Sequence, residues 1–442
     1  MGVDELFFST TDARGVIEQA NSVFVRLSRY GREQLIGAPH NIIRHPAMPA
    51  GAFLLMWDAL QSGQPFCAYV DNLAADGSTY RVFATITPLG DGYLSVRARP
   101  FVDGLCGAAF SLYEAVRPLE LELREQGWSA HEAAVRGAEK LGELLAGAGF
   151  PSYEEFTWTA LPAEVEAWLG RAGGIARRPL ATGDLAEMLL VARRIDAELR
   201  TWVGGLDDLQ RAADALRAAA PQFAGTVAED ADVAERINTT DTEGLFSTAV
   251  VYLRVWAQMA PEVAAVMTEL LAELDELRRS CAQTRFRIAL AVLHNQTIGQ
   301  FIAEIVDHVP GSQEARPAIS DLGRALDEGL DQMASSTQRN AALAAAAADR
   351  ISGLRELLDL PQTMIREWLS RSDRSSAVFA ATADAIAARV DATQADVDLL
   401  GTLADDCRRI AVPLDVSAVE DLSARLRELL ASGVAPSGSF LG

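Results

Sequence analysis

Two hydrophobic patterns divide the chain. From Leu6 to Arg99 apolar and polar residues alternate, and Asp-Gly pairs interrupt the alternation. Asp76-Gly77 separates Pro65–Leu73 from Thr79–Leu89, and Asp91-Gly92 separates that segment from Tyr93–Arg99. Asp-Gly between alternating runs is a strong short-range hairpin signal, because both residues tolerate the positive φ of a tight two-residue turn. Tyr80, Val82, Ala84 and Ile86 share one face, and Arg81, Phe83, Thr85 and Thr87 the other, so one face of this sheet is expected to meet a core. Upstream, Leu6–Thr10 and Val16–Ala20 flank a turn containing Gly15. Asn21, a favoured N-cap, opens a short helix over Ser22–Ser28.

After Arg99 the period is helical. Ser129-x-x-Glu132 and Thr240-x-x-Glu243 have the form of capping boxes. Expected breaks fall at Pro151, Pro162, Gly173-Gly174, Gly204-Gly205, Pro221, Pro310-Gly311, Pro361 and Pro413. Glu262–Val306 contains no proline and reads as one helix of roughly 65 Å at 1.5 Å per residue. Leu245–Leu271, crossed by Arg254, Pro261 and Glu262, reads as a buried helix pair. From Phe379 a heptad is legible: Phe379, Ile386, Thr393 and Leu400 share one position and Ala383, Val390, Val397 and Ala404 another. This predicts a coiled-coil or bundle seam of small residues. The predicted organisation is residues 1–102 as an α+β sensor domain, 103–240 as a helical domain, 241–435 as a long-helix bundle or coiled coil, and 436–442 as a flexible tail.

Charge narrows the function. Lys and Arg number 39 against 61 Asp and Glu in 442 residues, a formal charge of −22. Nucleic acid is an unsuitable partner, because replacing phosphate counterions needs a basic face. Cys67, Cys106, Cys281 and Cys407 are scattered and no Cys or His pair has metal-ligand spacing. Few cysteines and no leader-like segment point to a reducing cytoplasm. No apolar run reaches the ~18 residues of a membrane helix. His294 is followed by Asn295-Gln296-Thr297, not by the acidic and Arg-Thr-Pro residues of a phosphoacceptor box, and no paired carboxylates or nucleophile–base motif stands out. The chain reads as a non-enzyme.

The most informative segment is His40-Asn41-Ile42-Ile43-Arg44-His45-Pro46-Ala47-Met48-Pro49, followed by Phe53, Trp57 and, at the end of a predicted strand, Asn72. Together with Asn21, this run resembles the PAS domain of the aerotaxis receptors, flavin-binding redox sensors. The resemblance covers about residues 6–99. It implies a five-stranded antiparallel sheet with short helices over one face, here followed by a large all-α helical bundle or coiled-coil region. It also implies FAD as cofactor, held by Asn21, Arg44, His45, Phe53, Trp57 and Asn72. The chemistry of these residues agrees: the asparagines offer amide partners for an isoalloxazine edge, Arg44 a fork for a diphosphate, and Phe53 and Trp57 stacking surface. Ala47 and Arg81 depart from the family, which carries an acidic residue and an aromatic there. Haem is a minor alternative, with His40 or His45 as axial ligand.

Phe286–Gln296 is faintly similar to the tip of chemoreceptor signalling domains, although the sequence that follows it there is missing. The alternative reading of the segment is helix-bundle core with a turn at Pro310. The functional expectation is a cytoplasmic sensor that relays redox, oxygen or energy state through helices to a signalling partner, as a homodimer. The competing expectation is a ligand-free scaffold in which the PAS and helical parts serve dimerisation and partner binding.

Overall fold

The computed structural model describes residues 1–240, 247–309, 312–371 and 377–432. The N-terminal elements are β1 (Phe7–Asp12), β2 (Ile17–Ala20), α1 (Ser22–Ser28), α2 (Arg32–Leu35), a 3-10 turn (His40–Ile43), α3 (Ala50–Gln61), β3 (Phe66–Leu73), β4 (Thr79–Leu89) and β5 (Gly92–Ala98). They form one antiparallel sheet in the order β2-β1-β5-β4-β3. Both hairpins form: Asp76-Gly77 lies in the turn between Leu73 and Thr79, whereas the second turn is Gly90-Asp91, not Asp91-Gly92, because Gly92 already belongs to β5 opposite Leu89. Gly77 takes φ +81°, a value that glycine adopts without steric cost.

The sheet is buried on both faces, not on one. Ala68, Val70, Asn72, Ala84, Ile86, Ser95 and Arg97 face the short helices across a cavity. Their strand neighbours Tyr69, Phe83 and Thr85 are also buried, on the opposite face. Later helices cover that second face: Tyr69 meets Phe156 at 6.4 Å between ring centres, and Phe8 meets Phe301 edge-on at 5.3 Å. Arg81 lies there too, paired with its cross-strand partner Asp71 at 2.8 and 2.9 Å and stacked on Phe110.

The helices are α4 (Asp103–Glu125), α5 (Ala130–Gly147), α6 (Tyr153–Ala172), α7 (Gly183–Thr240), α8 (Ser247–Val306), a second 3-10 turn (Ser312–Ala315), α9 (Arg316–Arg371), α10 (Ala377–Ile410) and α11 (Ser417–Ser432). The Ser129–Glu132 capping box is present. The breaks at Pro151, Gly173-Gly174 and Pro413 are present as well. Pro162, Gly204-Gly205, Pro221 and Pro361, expected as breaks, instead lie inside α6, α7 and α9, and Pro261 lies inside α8. Leu245–Leu271 is therefore not a helix pair: from Ser247 it belongs to α8, and Val251 and Val255 are exposed. An interior proline removes one hydrogen bond and crowds the preceding turn. Burial of the flanking residues, such as Leu161 beside Pro162 and Phe223 beside Pro221, opposes that cost. The Thr240–Glu243 box, the Pro310-Gly311 turn, Leu245 and residues 436–442 lie outside the described residues, as does the side chain of Phe379.

Two compact units are distinguished, Met1–Val203 with Ala282–Met333 and Asp415–Gly442, and Gly204–Cys281 with Ala334–Leu414. The first holds the sheet. In it, α8 runs beneath the second sheet face, and Phe286–Gln296 is helix core there. Thr87 and the ring of His294 lie 3.4 Å apart. The second unit is a four-helix arrangement. Its perimeter carries ion pairs from α7 to α8 (Arg217–Asp275), α8 to α9 (Glu276–Arg339), α9 to α10 (Asp349–Arg408) and α10 back to α7 (Arg389–Glu229). The heptad of α10 is its inner stripe, with Ala383, Ile386, Val390, Thr393, Val397, Leu400 and Ala404 all buried. Among the described residues no helix is long and apolar enough to cross a membrane.

Candidate functional site: a polar-ended cavity under the short helices

Between α3, the first 3-10 turn and the sheet lies a cavity of about 200 Å³. Its walls are mainly apolar: Ile43, Met48, Ala52, Phe53, Met56 and Leu60 from the helical side, Phe66, Ala68, Val70, Ala84 and Ile86 from the sheet. The alternation of β3, β4 and β5 sends every second side chain inward, which is why Asn72, Ser95 and Arg97 converge at one end.

Four of the six sequence-predicted site residues line this space. Phe53 and Trp57 come from α3, one helical turn apart. Trp57 packs edge-on against Tyr93 at 5.5 Å and abuts Gly15, whose φ of +78° and missing side chain leave room for the indole. Arg44 follows the 3-10 turn, is held to Asn72 by an antiparallel backbone bridge, and stacks its guanidinium 3.9 Å from the centre of the Phe53 ring. Burial and the nearby Arg117 lower the Arg44 pKa, and Glu120 acts in the opposite sense. Asn72 is 2% exposed; its Oδ1 accepts from Arg97 at 3.4 Å, while its Nδ2 has no hydrogen-bond partner.

Asn21 and His45 do not line the cavity. The Asn21 side chain caps α1 by accepting from Phe24 N at 3.0 Å, and it fastens β1 by accepting from Phe8 N and donating to Leu6 O. Its Oδ1 accepts two backbone N–H groups and its Nδ2 donates to a third backbone group, so the N-cap reading of this residue accounts for it. His45 turns back on its own loop, accepting at Nδ1 from Ala47 N at 3.2 Å.

Residues outside the expected set complete the site. His40 is half-buried, with Nε2 3.1 Å from Ser9 Oγ and its ring stacked 5.6 Å from Phe24. Burial first, and then the charge of Arg97, hold its pKa well below the usual imidazole value. Arg97 is 7% exposed and donates from Nε to Ser95 at 3.2 Å. The Tyr93-x-Ser95-x-Arg97 alternation was the available signal, since it places an arginine on the inward side of a strand.

Glu120 is a further unexpected residue. It is 1% exposed on α4, and its carboxylate accepts from the first backbone N–H groups of α3, Ala50 and Gly51, both at 2.7 Å. Arg117 pairs with it at 2.9 Å and donates to Pro46 O. A carboxylate at a helix N-terminus satisfies orphan donors and meets the positive end of the dipole. The helix carrying Phe53 and Trp57 is thus tied to α4. A second buried carboxylate, Glu164 of α6, accepts from Tyr69 Oη, Phe101 N and Val102 N at 2.7–3.0 Å and ties α6 to the sheet and to the start of α4.

Over 118 residues the chain is 39% identical to the aerotaxis receptor of Escherichia coli (strain K12), a match covering 26% of this chain and 23% of that one. The N-terminal domain is a PAS domain resembling that of the aerotaxis receptor. A second relative, the nitrogen fixation regulatory protein of Klebsiella pneumoniae, is 35% identical over 81 residues, or 18% of this chain and 16% of that protein. The chain thus spans less than a quarter of the length of the curated relatives it matches. No family model matches it. Similar solved structures include the blue-light photoreceptor Aureochrome1 LOV (22% identity, 22% of this chain, 83% of that chain, TM-score 0.21). Another is a PAS domain from Colwellia psychrerythraea (20% identity, 21% and 85% covered, TM-score 0.19).

Proposed function

We propose that this is a sensory signal-transduction protein whose PAS domain holds a flavin, FAD, and whose helices pass the state of that ligand to a signalling partner. One observation carries the reading: a mainly apolar cavity ends in the buried, unpartnered amide N–H of Asn72. A buried donor without an acceptor costs about 1–3 kcal/mol. A ligand with acceptor atoms along a flat ring edge removes that cost, and the ligand-free scaffold reading leaves it in place. Phe53 and Trp57 would flank the ring, Asn72 would donate to its edge, and Arg44 would take the diphosphate. Bound there, the flavin would supply reversible electron uptake. The same reading assigns the chain binding and relay without catalysis, and includes assembly as a dimer.

The relay has a physical path. α3 lines the cavity with Phe53 and Trp57, and its N-terminus rests on Glu120 of α4. A change in the fit of the ligand against α3 reaches the helical region through that carboxylate. Absorption and native mass of the purified chain test the reading. The expected result is a yellow protein that bleaches on reduction and carries one FAD per chain. A colourless, folded protein after expression with excess riboflavin would sink it and leave the scaffold.

A further inference from the structure

Arg97 is a buried cation whose contacts among the described residues are all neutral. Nε meets Ser95 Oγ, Nη1 meets Asn72 Oδ1, and Nη2 lies 3.3 and 3.4 Å from the two ring nitrogens of His40. The Phe7 ring centre is 4.9 Å from its Cζ. Three arginines nearby in the sequence or the fold do have carboxylates: Arg81 has Asp71, Arg117 of α4 has Glu120, and Arg26 has Glu5. Burial pushes the Arg97 pKa down to about 10, with the Tyr80 phenol acting the other way. A buried charge with no counter-charge is costly, and a fold that keeps one at a cavity wall gains from a ligand that supplies the missing sign. Beside Arg97 sits the free Nδ2 of Asn72. The two side chains, joined at Asn72 Oδ1, both line the same cavity.

We propose that Arg97 and Asn72 Nδ2 form an anion subsite, which takes a ligand edge bearing full or delocalised negative charge on an oxygen or ring nitrogen. The subsite rests on the flavin reading in one respect: the reduced ring system bears such a charge at neutral pH and the oxidised ring does not. Arg97 then favours the reduced ligand over the oxidised one, and the protein's response is set by that preference.

The test uses the full chain, wild type, Arg97→Met and Arg97→Lys, with FAD in its oxidised and dithionite-reduced forms. Wild type is expected to hold the reduced form at least tenfold more tightly than the oxidised form, equivalent to about 30 mV for a two-electron couple. Arg97→Met is expected to lose that ratio, and Arg97→Lys to keep part of it. Without ligand, Arg97→Met is expected to melt at or above the wild-type temperature, because it removes an unpaired buried charge. An unchanged ratio in Arg97→Met overturns the subsite. So does a marked fall in its ligand-free melting temperature, which would make Arg97 a structural strut.

If neither form of FAD binds the wild type, the flavin reading fails and the subsite is judged with benzoate, a flat aromatic carboxylate. A rise in wild-type melting temperature at millimolar benzoate that Arg97→Met abolishes supports the subsite. No rise in wild type overturns it.

Discussion

In the PAS domain the inward positions of β3 and β5 carry Asn72, Ser95 and Arg97 around a cavity, whereas in the four-helix unit the inward positions of α10 carry Ala383, Ile386, Val390, Val397 and Leu400. The bundle needs little beyond its period, because every backbone group of a helix interior is bonded within the helix and small aliphatic side chains fill the seam. The sheet domain keeps a void and unmet donors in its interior, which lowers its stability. It recovers that stability outside the cavity, through buried carboxylates on neighbouring helices. Glu164 and Glu120 each accept several donors from backbone or side chain of the sensor domain. In the bundle the charged contacts sit on the rim; Arg350 reaches Glu269 and Glu273 with both partners partly in solvent. The difference teaches that the two regions place their ionised groups differently: the sheet domain buries carboxylates against backbone donors, whereas the bundle keeps its ion pairs at the rim and, among the described residues, buries only neutral polar groups such as Thr393, Asn340 and Gln362.

The largest effect follows from cutting one bolt of each kind. Glu164→Ala strands the Tyr69 hydroxyl and two backbone N–H groups, so a loss of about 3–5 kcal/mol is expected. Arg350→Ala removes rim pairs worth about 1 kcal/mol or less. Urea unfolding of both variants measures this, and equal losses would erase the contrast between the two regions.

Adding volume should give different outcomes in the two interiors. Ala84→Leu extends into the cavity, is expected to cost less than about 1 kcal/mol, and should abolish flavin retention. Ala347→Leu, at a fully buried position of the bundle, should cost about 1–3 kcal/mol by overpacking. Thermal melts beside flavin content per chain decide the matter.

Acid acts on the sheet-bearing unit through two of its histidines, His40 and His294. Burial lowers the His294 pKa from 6.5 to about 4, and His40 lies well below its usual value. The unfolded chain therefore binds more protons than the folded one below pH 6.5. The stabilising difference is full above that pH and is lost as pH falls toward the folded values, by about 1.4 kcal/mol per pH unit for each histidine. Hydrogen exchange at pH 7.5 and 5.5 should show faster opening of β4, β5 and residues 282–306 at the lower pH. His294→Leu should flatten part of that slope.

The smallest effect is a gain. Gly353, inside α9, has open space where a side chain would stand, so Gly353→Ala is expected to add about 0.5–1 kcal/mol without altering flavin content. Gly51 of α3 offers no such gain, because a side chain there would meet the backbone of Gly137 and Ala138. A chemical denaturation midpoint that does not rise in Gly353→Ala would show that α9 is not limited by local helix propensity.

Local pattern determined the strands, the Asp76-Gly77 hairpin, the position of the second hairpin to within one residue, the Ser22–Ser28 helix, the Ser129 capping box and the α10 seam, because each depends on contacts within a few residues or on a simple period. Four of the six site residues were also legible, through a motif whose spacing places Arg44, Phe53, Trp57 and Asn72 on elements that close over one face of the sheet. Tertiary structure decided the rest. Whether a proline breaks a helix depends on how far tertiary burial offsets its lost hydrogen bond, so Pro162, Pro221 and Pro361 could not be judged locally. Whether Asn21 caps a helix or meets a ligand depends on where β1 lies, and it lies within reach of the asparagine. Arg97 looks like an ordinary strand arginine until the fold surrounds it with neutral partners, and Glu120 looks like ordinary helix-surface charge until α4 crosses the start of α3. Burial and pairing are properties of elements distant in sequence, and only their packing creates a buried charge or the acceptor that satisfies a helix end.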